Sequence, residues 1–153
     1  MRIFGVVLAV VLVIVYAAGS GRWVSTNSEW YLALQQPAWQ PPNAVFGIAW
    51  AYNFTMLVVV GIILALRAPQ SVFLPWLIIF AFTVALAIGW SYLFYGPHAL
   101  VASAICLSLC FLGTIVLVVM AWQQQWWLGA VMLPYVAWLA VASSLSWGYA
   151  TLN

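Results

Sequence analysis

Met56–Leu66 reads MLVVVGIILAL, and the pattern in this run decides the fold. A membrane-barrel strand alternates lipid-facing apolar residues with lumen-facing polar ones. Here every position is apolar or glycine, so no polar face exists on either period. Val6–Val15, VVLAVVLVIV, repeats the pattern. A segment apolar on all sides suits a helix in lipid, because a helix satisfies its own backbone hydrogen bonds there.

Working outward, the 153-residue chain is 69% hydrophobic and 3% charged, against about 25% charged in a soluble domain. Its charges are Arg2, Arg22, Arg67 and Glu29, with one histidine, His98. So few polar groups cannot cover a surface facing water. A net charge of +2, scattered along the chain, gives no footprint for nucleic acid. A spanning helix needs roughly 20 apolar residues. Five stretches qualify: residues 3–19, 44–66, 72–95, 99–122 and 126–152. The expected fold is an all-α integral membrane protein, a five-helix bundle forming a single domain over 1–153. The first stretch has a rival reading as a secretory signal, with Arg2 before it and Ala17-Ala18-Gly19 after it. The run Ile3–Ala18 is long for a signal core.

Arg67-Ala68-Pro69-Gln70, Gly96-Pro97-His98 and Gln123-Gln124-Gln125 punctuate the later stretches. Such short links predict that consecutive helices are antiparallel neighbours. The one long link, residues 20–43, is where function is expected. Arg2 and Arg67 on one side against Arg22 on the other lean towards an inside N-terminus. Trp and Tyr gather near the span ends, and Trp76, Trp122, Trp126 and Trp127 read as an interfacial belt. Trp50, Trp90, Tyr135 and Trp138 lie too far inside for that.

Conventional catalysis lacks its parts. One carboxylate excludes a general acid–base pair, and no Asp is present for a Ser/His/Asp arrangement. Cys106 and Cys110, one helical turn apart, read as packing residues and not as a metal site. His98 reads as a solvated turn residue, with axial haem ligation as the alternative.

Aromatic surface is what the chain has in quantity: 17% of residues, including 11 Trp. Tyr135, Trp138, Ala142, Leu145 and Tyr149 fall on one helical face, after Pro134, which is expected to kink the last span. That face reads as a packing seam or as the wall of a site for a flat apolar ligand. Trp50 and Phe54 share a face one turn apart, with Asn53 beside them. Ala81, Ala85 and Gly89 form a small-xxx-small stripe, either a dimer face or packing within the bundle.

WYLALQQPAWQPP (Trp30–Pro42), followed by FGIAW (Phe46–Trp50) and PYVAWLAVASSLSW (Pro134–Trp147), resembles the TspO/MBR family of tryptophan-rich sensory proteins, relatives of the mitochondrial translocator protein. The resemblance implies a five-span protein, often a homodimer, in a bacterial cell membrane. It implies a receptor or sensor for porphyrins such as protoporphyrin IX and haem, held as ligands with no cofactor required. Light- and oxygen-dependent porphyrin degradation, with Trp50 and Trp138 as the reactive indoles, and tetrapyrrole or lipid transport are the alternatives. Carried over by motif, the ligand residues would be Tyr31, Trp39 and Pro41 in the loop, Trp50 and Phe54, then Ala87 and Trp90, then Tyr135, Trp138 and Ala142. The chain departs from the family at Ala87 (often Asn), Cys106 (acidic) and Gln36 (Lys in several relatives). Tyr149 also lacks the basic residue of the weak cholesterol pattern. These changes imply a less polar pocket.

Overall fold

The computed structural model describes residues 2–153. It is built from α1 (Arg2–Gly21), α2 (Glu29–Ala33), α3 (Asn43–Arg67), α4 (Gln70–Tyr95), α5 (Leu100–Gln124), α6 (Trp126–Ala130) and α7 (Leu133–Leu152). Five segments are long and apolar enough to cross a membrane: α1, α3, α4, α5 and the composite Trp126–Leu152. Their outward residues, among them Ile14, Ile48, Ile78, Phe82 and Leu112, are exposed and apolar. Lipid is the solvent such a surface matches.

Local chemistry sets the span ends. Ala68 is extended, as a residue before proline must tend to be, and Pro69 then leads into α4. The expected kink near Pro134 is a full break. Val131 and Met132 form a turn between α6 and α7. Pro134 has no N–H to give, and Tyr135 N–H bonds to Met132 O at 3.0 Å, three residues back. Val131 O thereby loses its helical donor, and Tyr52 Oη on α3 donates to it at 3.0 Å.

The spans form a ring in the order α3–α1–α4–α5–α7, closing thinly from α7 to α3. The expectation that consecutive spans are neighbours fails for α3 and α4. They meet sparsely, and α1 packs between them. A short turn fixes proximity only at the ends; the small residues decide the rest. Gly5 and Ala9 of α1 face Ala65 and Gly61 of α3. A Cβ on Gly61 would sit 2.9 Å from that of Ala9, and one on Gly5 would sit 3.4 Å from that of Ala65. This is small-xxx-small packing on both partners, on helices other than the one where the sequence suggested it. Of the predicted stripe, Ala85 is exposed and Ala81 and Gly89 are half-buried. A Cβ on Gly89 would lie 3.8 Å from Cys106 Sγ of α5, so that end of the stripe packs within the bundle while Ala85 faces outward.

α1 is a bundle helix, with Ala9, Val13 and Tyr16 in the core; the secretory-signal reading gives way to this packing. Trp76 corrects the belt assignment. It is 0% exposed, and its Nε1 donates to Leu117 O at 3.2 Å. Its hydrogen bond is made across the core, so the ring needs no interface. Trp122 and Trp126 are exposed, as belt residues should be.

Candidate functional site

The loop between α1 and α3 folds over one end of the ring. Ser28 caps α2, its Oγ accepting from Tyr31 N at 3.3 Å, with Glu29 in the first turn, where a carboxylate suits the helix dipole. That short helix was not anticipated, although Ser-Glu before an apolar pair is a start signal. It aims Tyr31 inward.

The loop is fastened mainly to α7. Asn153 accepts from Gln35 N at 2.9 Å and donates back to Gln35 O at 3.2 Å. Trp39 Nε1 donates to Ser144 Oγ at 3.2 Å. Pro37 and Trp39 rest on Gly148, where a Cβ would lie 2.7 Å from Pro37 Cγ and 3.0 Å from Trp39 Cζ2; only glycine admits this approach. On the other flank, Trp30 stacks on His98 at 3.7 Å and 8°. His98 sits in the α4–α5 turn with φ 59°.

Beneath the loop is a narrow cavity of about 90 Å³, partly open to the outside. Small-molecule sites span roughly 300–1,000 Å³, so the loop or the rings must give to admit a ligand. Its walls are Tyr16 and Ser20 of α1; Phe46 and Trp50 of α3; Ala87, Trp90, Phe94 and Tyr95 of α4; Leu107 of α5; and Trp138, Ala142, Leu145, Ser146 and Tyr149 of α7. Tyr31 and Gln40 form the roof. No lining residue is Arg, Lys, His, Asp or Glu.

Six of the ten residues expected to hold ligand meet here: Tyr31, Trp50, Ala87, Trp90, Trp138 and Ala142. Four stand back. Phe54 stacks behind Trp50 at 5.1 Å and meets Tyr16 edge-on at 5.2 Å. Tyr135 is 1% exposed and donates to Tyr16 Oη at 3.0 Å, so it supports the wall from below. Trp39 and Pro41 belong to the loop's outer layer, and Trp39 is spent on Ser144 and Gly148. His98 lies outside the lining, against Trp30. In that place it is not positioned to ligate a haem held in this cavity.

The sequence assigns α1 as a span but places none of its residues at the site. Gly5, Ala9, Val13 and Tyr16 recur at helical spacing, an inward face that apolarity on all sides conceals. Phe94 and Tyr95 were masked by their place at the end of a span, where aromatics are ordinarily belt residues.

The arrangement defines a class: a polytopic α-helical membrane protein with a lidded, uncharged aromatic cavity at one end of its bundle. The TspO/MBR family profile matches residues 6–152, and the chain belongs to that family. It is 28% identical to protein CrtK of Rhodobacter capsulatus, over 95% of this chain and 91% of that one. It is 27% identical to the tryptophan-rich protein TspO of Archaeoglobus fulgidus, over 100% and 99%. It is 29% identical to the human translocator protein, over 78% and 72%. It is an integral, multi-pass membrane protein.

Proposed function

We propose that the protein is a membrane receptor or sensor for planar hydrophobic ligands, porphyrins foremost, taken into the cavity under the loop. The observation that carries this reading is the uncharged lining, in which three indoles (Trp50, Trp90, Trp138) border one space. Flat rings gain from offset or edge contacts with such walls, and Ala87 and Ala142 leave room between them. Haem would be held mainly through its ring: no His, Cys or Met lines the space, which leaves tyrosine as the only usual axial ligand type there. The test is a protoporphyrin IX titration of the protein in lipid nanodiscs. Saturable binding near one porphyrin per chain is expected. Uptake that rises linearly and matches empty nanodiscs would overturn the reading.

A second reading is light-dependent porphyrin oxidation by O2, favoured by the placement of the electron-rich Trp50 and Trp138 on the same cavity. It predicts porphyrin loss under illumination that slows in Trp50→Phe and Trp138→Phe. Loss equal to that in empty nanodiscs removes it. For assembly we propose a homodimer through the exposed side of Ala81, Ala85 and Gly89. Ala85→Cys should form an intermolecular disulfide on mild oxidation, whereas exclusive monomer speaks against that face.

A further inference from the structure

The roof of the cavity has a fixed hydrogen-bond direction. Tyr149 Oη donates its single proton to Gln40 Oε1. Tyr31 Oη lies 3.1 Å from Tyr149 Oη. Because the Tyr149 proton is committed, Tyr31 is the donor of that pair. Ser146 Oγ already accepts from Trp90 Nε1 at 3.1 Å. With its Oε1 occupied, the Gln40 amide presents Nε2 and two N–H groups. Among the described residues, Nε2 makes no hydrogen bond. Gln40, a lining residue, therefore carries a neutral donor free of protein partners, alongside a second one in the wall, the buried and unpartnered Trp138 Nε1.

The lining offers no cation. An ionised carboxylate drawn into it would lose its water and find no counter-charge, which disfavours the charged form strongly. A neutral carbonyl or ester oxygen carries a far smaller desolvation cost, and one N–H suffices to satisfy it.

We infer that Gln40 is a specificity-determining residue: its Nε2 donates to an uncharged acceptor oxygen at the edge of a planar apolar ring. The cavity thus favours neutral carbonyl- or ester-bearing ligands over the same ring with ionised carboxylates. This rests on the planar-ligand reading above. It concerns a residue that neither motif nor helical periodicity singled out.

Three porphyrins test it in nanodiscs, each corrected for uptake by empty discs: octaethylporphyrin, which has no oxygen; protoporphyrin IX dimethyl ester; and protoporphyrin IX, the diacid. The ester should bind about fivefold or more tightly than either of the others, the scale of one net hydrogen bond. Gln40→Leu should lower the ester-to-octaethylporphyrin ratio severalfold, with Trp138 Nε1 left as the remaining free donor in the wall. Tyr149→Phe removes the bond that orients the amide, so it should lower the ester-to-octaethylporphyrin ratio too, whereas Asn153→Ala frees the loop without touching Gln40 and lowers all three ligands together. The selectivity ratio in Gln40→Leu is thus the readout that a structural effect does not move. Diacid binding tighter than ester in the wild type, or an ester-to-octaethyl ratio unchanged in Gln40→Leu, overturns the inference and leaves the planar-ligand reading intact. Failure of all three porphyrins to bind overturns both.

Discussion

Individual residues in this protein act through what they leave open as much as through what they touch. Gly148 lets two rings of the loop lie against the α7 backbone. Gly148→Val would push Pro37 and Trp39 outward, an overpacking penalty of about 1–3 kcal/mol. The expected result is faster amide exchange over residues 30–42 and weaker porphyrin binding, by about tenfold if 1.4 kcal/mol of that falls on the bound state. Unchanged exchange would show that the loop does not depend on this contact. Trp76 shows how a residue type can mislead. Eleven tryptophans invite a belt reading, yet Trp76 is a core residue because Leu117 O offers its N–H a partner. Nothing in the local sequence distinguishes it from Trp126, since its acceptor lies 41 positions away.

Elements explain where reading along the chain succeeds and where it stops. The spans were legible because lipid imposes length and apolarity on each one separately. Their arrangement was less so, because adjacency depends on which small residues meet. Gly5-x3-Ala9 and Gly61-x3-Ala65 form a mutual seam that places α1 beside α3. Gly61→Leu should therefore force the two helices apart and lower stability by about 1–3 kcal/mol, read as a drop in thermal midpoint in detergent. A midpoint equal to wild type would mean the seam yields without cost. The lid is an element too. Asn153 pairs with both backbone groups of Gln35, and Asn153→Ala should free that end of the loop. The expected outcome is a porphyrin dissociation rate raised several-fold, consistent with the loss of about 1 kcal/mol of hydrogen bonding. An unaltered rate would leave loop closure to the other fastenings, the Trp39–Ser144 bond and the Trp30–His98 stack among them.

Over the whole molecule, the ring of spans closes tightly on one side and thinly between α3 and α7, and the cavity lies at the lidded end of that ring. The aromatic face Tyr135–Tyr149, readable in the sequence as seam or wall, is a wall from Trp138 to Tyr149 and a seam at Tyr135. That division follows the ring geometry, which brings Tyr135 against Tyr16 and leaves Trp138 beside open space. Six of the sixteen lining residues are those carried over by the family motif. The others include Tyr16 and Ser20 of α1, Phe94 and Tyr95 at the end of α4, and Gln40, positions whose contribution depends on the packing of distant segments. Uncharged throughout, the cavity differs from an ordinary acid–base site in kind. Its chemistry is shape, stacking and a hydrogen-bonded roof.

The cavity is proposed to be the planar-ligand site. The most direct test is quenching of tryptophan fluorescence by protoporphyrin IX in nanodiscs, comparing wild type, Trp138→Ala in the cavity wall and Trp126→Ala on the outer surface. A buried aromatic anchor is worth about 2 kcal/mol or more at a binding site, so Trp138→Ala should raise Kd by at least about tenfold. Trp126→Ala, 68% exposed in the native protein, should leave Kd within about twofold of wild type. Superimposable curves for wild type and Trp138→Ala would contradict the account.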